Sequence, residues 1–315
     1  MTFVRAFLTL QLMVLACLLA LPAWAPVAGQ AIPAAEAGGP TPSGRVKLWV
    51  LATDAHRKLV LDLSAKDFQV FENNRQQPIS FFSRRATDPL ALGLLIETSR
   101  SRLYEPDPAD WRPYSQMLHK LLRPGDRAFV STFAEEVGTP LAPYTSDLGQ
   151  LDSALQQTFN APPKGTTGLY DAIYALSEER FAGEPGRKAL LVVSDSPDDY
   201  SFHNQLQTLE RIRRAGLTVF TLLPWVDREG QPAFGAVQAA QLFAAETGGL
   251  FFLAFNRRML AKEIDGIRIA LTYSYAIEYT PSDIPRDGRY HAVRVKCVRR
   301  GVKLYASQGY YASSS

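Results

Sequence analysis

Two hydrophobic textures alternate along this chain. From Pro89 onward, unbroken apolar runs take turns with stretches whose apolar residues recur at helical spacing. "LALGLLIET" (90–98) precedes an amphipathic segment over Trp111–Leu122; then come "RAFVSTF" (127–133), "LGQLDSALQQTF" (148–159) and "GLYDAIYALSEERF" (168–181). "KALLVVSD" (188–195), the helical "NQLQTLERIRRAG" (204–216), "LTVFTLLP" (217–224), the helical "GAVQAAQLFAAETGG" (235–249) and "LFFLAF" (250–255) complete the series. Continuously apolar strands alternating with helices predict a mainly parallel sheet covered on both faces, a doubly wound α/β domain over residues 88–270.

The second texture lies on both sides of that domain. "VKLWVLATDA" (46–55), "DFQVFENN" (67–74) and "ISFFSRR" (79–85) precede it, and "YSYAIEYTP" (273–281), "RYHAVRVKCVRR" (289–300) and "VKLYASQGYY" (302–311) follow. Each is a short β-branched and aromatic run bounded by turn residues such as Asp287-Gly288. Neither group is large enough to close a core alone. The expectation is one β-sandwich-like domain made of residues 45–86 and 272–313, with the α/β domain inserted between its halves.

The N-terminus has a third texture. Arg5, the apolar run Phe7–Leu21 and Ala23-Trp24-Ala25 read as an export signal over residues 1–29, and residues 30–44 as a Pro/Gly-rich linker. An uncleaved anchor is the competing reading, and Val14-Leu15-Ala16-Cys17 also fits a lipobox that would lipidate Cys17. The expected location is exported: periplasmic, cell-surface or secreted. With the leader gone only Cys297 remains, which excludes an intrachain disulfide.

Composition narrows the function. At 315 residues with 46% hydrophobic content the chain can bury a substantial core, and a net charge of +3 with signs mixed throughout argues against a nucleic-acid partner. In the helix 204–216, Leu209 and Ile212 face inward while Arg211, Arg213 and Arg214 read as a solvated face ended by Gly216. His56, His119, His203 and His291 fall in separate elements, and no metalloprotease, nucleophile-elbow or phosphate-loop motif is present. Glu97 with Asp195 is the one carboxylate pair a hydrolase would use, so the expectation is a protein that is not an enzyme.

Candidate chemistry sits where strands end. Ligands of open α/β sheets gather outside the carboxyl ends of the strands. Three such ends carry hard oxygen donors: Glu97, Ser99 and Ser101; Thr167 in "KGTTGLYDA"; and Asp195 in "VVSDSPDD". That donor set suits magnesium, with manganese or calcium as alternatives.

Strand-D-x-S-x-S, a later helix-opening Thr and a later strand-ending Asp make up the metal-ion-dependent adhesion site of von Willebrand factor type A domains, which this pattern resembles. "LSAKDFQVFENNRQQPISFF", "GTTGLYDAI", "AAETGGLFFL" and "YAIEYTPSDIPRDGRYHAVRVKCVRRGVKLYASQGYYA" further resemble the type A-related proteins of acidobacteria. The resemblance implies an exported bacterial protein-binding or adhesion module. It implies a cation held by Ser99, Ser101 and Thr167, with Thr166 as a neighbouring alternative, Asp195 and Glu97 accepting hydrogen bonds around it, and a partner's Asp or Glu completing the shell. A membrane enters only through an uncleaved leader or lipidated Cys17.

Glu97 departs from the pattern, which has Asp there. Its extra methylene adds roughly 1.5 Å of reach. It would ligate directly, suit a larger ion or abolish the site, and Arg100 and Arg102 offer a rival counter-charge. The alternative function is therefore a structural or assembly protein with a vestigial, metal-free site. Asp171 reads as a first-turn helix carboxylate, Asp198 and Asp199 as loop solubilisers, and Tyr104, Trp111 and Tyr114 as either partner-facing or core aromatics.

Overall fold

In the computed structural model, the residues described are 44–100, 110–224, 233–283 and 287–313. The leader, Cys17, all of the linker but Gly44, and Ser101, Arg102 and Tyr104 lie outside them.

The apolar runs become six strands: β5 (Leu90–Glu97), β6 (Arg127–Phe133), β7 (Val137–Thr145), β8 (Arg187–Val193), β9 (Thr218–Leu223) and β10 (Phe251–Leu253). They form one sheet in the order β10-β9-β8-β5-β6-β7, parallel except for β7 against β6. Every residue of β5 and β8 is buried, as their unbroken hydrophobicity requires. Strand β7 was not legible in the pattern. Pro140 and Pro143 interrupt it, which an edge strand with register shifts tolerates and a central one would not.

Six helices are described: α1 (Arg112–Leu121), α2 (Leu148–Asn160), α3 (Leu169–Glu179), α4 (Gln205–Ala215), α5 (Phe234–Thr247) and α6 (Arg257–Thr272). Met117, Leu155 and Ile264 of α1, α2 and α6 cover one sheet face through Leu92 and Leu94. Ile173, Ile212 and Phe243 of α3, α4 and α5 cover the other through Leu95 and Leu190. Trp111 packs against the first of these cores, and Tyr114, 1% exposed, lies within it beside Phe159, so both are core aromatics.

The flanking runs pair with each other. Strands β1 (Val46–Thr53), β4 (Ile79–Ser83), β11 (Tyr275–Tyr279) and β13 (Lys303–Tyr305) form a sheet ordered β13-β1-β11-β4. Strands β2 (Phe68–Glu72), β3 (Arg75–Gln77), β12 (Tyr290–Cys297) and β14 (Gly309–Tyr311) form another, ordered β14-β12-β2-β3. Val46↔Tyr279 and Val293↔Glu72 set the antiparallel registers that join the early strands to the late ones. Val50, Val70, Ile277 and Val293 close a shared core between the sheets. The α/β lobe thus occupies the chain between two halves of a β lobe.

The arginines of α4 correct the expectation of a solvated face. Arg213 pairs with Glu246 and lies over the Tyr290 ring at 4.9 Å; Arg214 lies over Tyr311 at 3.9 Å; Arg211 pairs with Glu178 at 2.7 Å. Arg213 and Arg214 bind α4 to the late strands of the β lobe, and Arg211 binds it to α3. Half-buried Cys297 is a free thiol, and no described helix is long and apolar enough to cross a membrane.

Candidate functional site

Chain order fixes where a site can form. From central β5 the chain goes to β6 and β7 on one side and later returns to β8 on the other, so the crevice at the carboxyl ends of β5 and β8 is the topological switch point. Glu97 is the last residue of β5, and Ser194 and Asp195 follow β8.

Glu97 is 3% exposed, and its carboxylate organises the crevice. Oε1 accepts from the Ser99 hydroxyl at 2.5 Å and from the Thr167 hydroxyl at 2.8 Å. Oε2 accepts from the Ser194 hydroxyl at 2.6 Å and the Asp195 amide at 3.2 Å. One buried carboxylate therefore gathers its own loop and two others, whose hydroxyls lie 70 and 97 residues further along the chain.

The sequence-derived residues have different fates. Glu97, Ser99 and Thr167 meet directly. Asp195 contributes its backbone N–H, while its Oδ1 accepts from Ser196 at 3.0 Å. Ser101 lies outside the described residues. Thr166 is exposed and turned to Glu135 Oε1, with its amide at 3.3 Å, so Thr167 is the threonine that reaches Glu97. Arg100 is exposed, its amide donating to Gly165 O at 3.3 Å, and its side chain forms no ion pair among the described residues.

The "GTTG" stretch has a backbone reason. Gly165 has a φ of +77°, the left-handed region that glycine tolerates best. A Cβ on Gly168 would stand 3.0 Å from Ala134 O, the carbonyl to which its own amide donates at 2.7 Å. Lys164 N to Thr98 O, at 3.0 Å, ties this loop to the one after β5.

Asp171 stands in the first turn of α3 as expected, whereas Asp198 and Asp199 do more than solubilise their loop. Helix α3 opens on Gly168, which has no side chain to cap the first turn. The loop after β8 supplies the caps: Asp199 Oδ1 accepts from Thr167 N at 2.7 Å, Asp198 Oδ1 from Tyr170 N at 3.1 Å, and Ser201 Oγ from Asp171 N at 3.0 Å. The Asp171 carboxylate points back, accepting from the amides of Phe202 and His203, both at 2.9 Å, and from the His203 ring at 2.6 Å. Burial pushes its pKa up, but these hydrogen bonds outweigh it and hold the carboxyl below its usual range. His203 also stacks on Tyr174 with ring centres 3.8 Å apart.

The donor set fits a hard cation in a specific way. A hydroxyl has one proton and two lone pairs. Because Glu97 Oε1 takes the protons of Ser99 and Thr167, their oxygens keep lone pairs for an ion. Buried Glu97 serves as the acceptor behind them. Among the described residues no three His, Cys, Asp or Glu side chains converge as metal ligands, so an ion here would depend on hydroxyls and water.

No protein-family model and no curated protein matches the sequence. Solved structures do resemble the chain. Proximal thread matrix protein 1 from the mussel byssus aligns at a TM-score of 0.50 and 11% identity over 64% of this chain and 50% of its own, so this chain spans about half the length of that protein. Another structure of it, with a zinc-occupied MIDAS motif, aligns at 0.50 and 12% identity, covering 64% and 49%. A von Willebrand factor type A protein from Catenulispora acidiphila aligns at 0.47 and 12% identity, covering 78% and 76%. At such identities the likeness is one of fold. The sheet order and switch-point crevice agree with that likeness and show a doubly wound α/β fold like that of von Willebrand factor type A domains.

Proposed function

We propose that the chain is an exported adhesion or protein-binding module whose recognition surface is the crevice around Glu97. The supporting observation is that a single oxygen, Glu97 Oε1, orders two hydroxyls, one from the loop after β5 and one from the loop between α2 and α3. Ser99, Ser101 and Thr167 would hold a divalent cation, magnesium before manganese or calcium, with Glu97 and Asp195 accepting around it. The bound cation would supply a Lewis-acidic position for an Asp or Glu of a protein partner. This chain's residues orient the oxygens and take up the hydroxyl protons.

The matched structures include the type V pili tip protein Mfa5 of Porphyromonas gingivalis, the PilB minor pilin of Streptococcus sanguinis and the mussel byssus matrix protein. Pilus and byssus-matrix proteins agree with an envelope or extracellular setting and with a role in adhesion or assembly. One coordination bond does not make an interface, so neighbouring loops would add contacts. Phe202, 90% exposed in the connection after β8, and Phe234, 76% exposed at the start of α5, are among the apolar side chains available for this.

The second reading is a structural or assembly protein with a metal-free site, in which hydrogen bonds satisfy Glu97 without an ion. Isothermal titration of magnesium and manganese into chelator-stripped protein separates the two. Saturable binding that disappears in a Ser99→Ala, Ser101→Ala variant supports the first; heats no larger than dilution support the second.

A further inference from the structure

The outer face of the β14-β12-β2-β3 sheet carries a feature the crevice does not explain. Along β12, Ala292, Arg294 and Lys296 are exposed, whereas Val293 is buried and Val295 and Cys297 pack on the β-lobe core. On β2, half-buried Gln69 and Phe71 alternate with buried Phe68, Val70 and Glu72. Register places Arg294 beside Phe71 and Lys296 beside Gln69, with exposed Gln76 of β3 on the far side of Phe71. The Arg294 guanidinium lies 5.4 Å from the Phe71 ring centre and the Lys296 ammonium 5.1 Å. The one acid in these strands, Glu72, points inward at 5% exposure.

The face has one covered end and one open end. Helix α4 covers Tyr290 and Tyr311 through Arg213 and Arg214. Beyond that cover the surface continues through Arg294, Phe71 and Lys296 to Val298, 54% exposed, and exposed Lys66 and Arg300. Arg294, Lys296, Lys66 and Arg300 form no ion pair among the described residues, while neighbouring Arg299 pairs with Asp62 at 2.8 Å.

We infer that this face docks on the anionic headgroups of a lipid bilayer. Charge complementarity carries the inference: Arg294 and Lys296, without an ion pair among the described residues, stand on this face, and exposed Lys66 and Arg300 lie in the segments that adjoin β2 and β12 at its open end. Their spacing suits a planar array of phosphates, because Arg294 and Lys296 are two residues apart, about 6.6 Å along a strand. Phe71 and Val298 place apolar groups at the level of the cationic stems, where a headgroup boundary accepts both. Nucleic acid fits less well, since the face lacks a groove and a longer basic track.

The test is co-sedimentation of the compact unit from Ala35 onward with phosphatidylcholine vesicles, with and without phosphatidylglycerol. Starting at Ala35 leaves out the apolar run Phe7–Leu21. Binding is expected only with phosphatidylglycerol and should weaken with salt. An Arg294→Gln, Lys296→Gln variant should lose roughly thirtyfold in partitioning, at the typical contribution of one surface cation each. Lys120→Gln with Arg258→Gln removes equal charge from exposed positions on α1 and α6 and should leave binding near the parent's. Equal binding to both vesicle types, or equal loss in both charge pairs, overturns the inference. Capture of an RNA homopolymer that is also lost in the Arg294, Lys296 variant would replace the bilayer with nucleic acid.

Discussion

Glu97 gives the candidate site its character. Among the described residues four donors converge on its buried carboxylate, and each charge-assisted hydrogen bond contributes about 1.5–3 kcal/mol. Glu97→Ala leaves buried donors without their acceptor, so a stability loss of about 3 kcal/mol or more is expected in urea unfolding. A loss below about 1 kcal/mol would mean the loops hold themselves. A second buried group, Lys188, is 4% exposed, and burial lowers its pKa to about 8. Unfolded, the same ammonium titrates near 10.4, so the unfolded chain binds more protons between those values and stability should rise from about pH 8 to pH 10. Lys188→Met should flatten that rise and stabilise the protein at pH 7 by about 3 kcal/mol, read from melting across pH. Glu97, Ser99, Thr167 and Asp195 were legible in the sequence because each stands where an apolar run ends or a helix opens. Ser194, Asp198 and Asp199 were not, because short polar loops have no period and their roles arise only when the loop after β8 meets α3.

Helix α3 shows how an element can depend on another for its start. Its own Gly168 gives no side-chain cap, and Asp198, Asp199 and Ser201 supply what the sequence before it lacks. Replacing Asp198 and Asp199 together with Ala should cost about 2 kcal/mol, taking about 1 kcal/mol per lost cap. Amide hydrogen exchange should also quicken at Tyr170 while the far end of α3 stays protected; unchanged exchange at Tyr170 would show that the caps contribute little. Element type was read well for β5, β8 and β9, whose runs are apolar throughout, and for α4, whose apolar spacing is plain. Strand β7 was missed because its prolines mask a pairing that only an edge position permits. The arginines of α4 were misread because their aromatic partners, Tyr290 and Tyr311, come from strands formed much later in the chain.

At the scale of the molecule, strands from both ends of the described chain complete each other. Since β1 pairs with β11 and β2 with β12, the β lobe forms only when the two ends of the described chain meet, and the Arg213–Tyr290, Arg214–Tyr311 and Thr247–Ser307 contacts tie the α/β lobe to it. A single cooperative transition is expected, with circular dichroism and tryptophan fluorescence coinciding, because Trp49 reports on β1 and Trp111 on the α/β lobe. Two separated transitions would show that the lobes fold independently. The alternation of textures was enough to read this architecture, whereas the state of the crevice turns on a methylene at one position, which no pattern resolves. The most direct measurement is therefore calorimetric titration of magnesium and manganese into the chelator-stripped protein beside its Ser99→Ala, Ser101→Ala variant. Saturable binding in the parent and none in the variant is the predicted result; no binding to the parent would contradict a cation-presenting site and leave the metal-free reading standing.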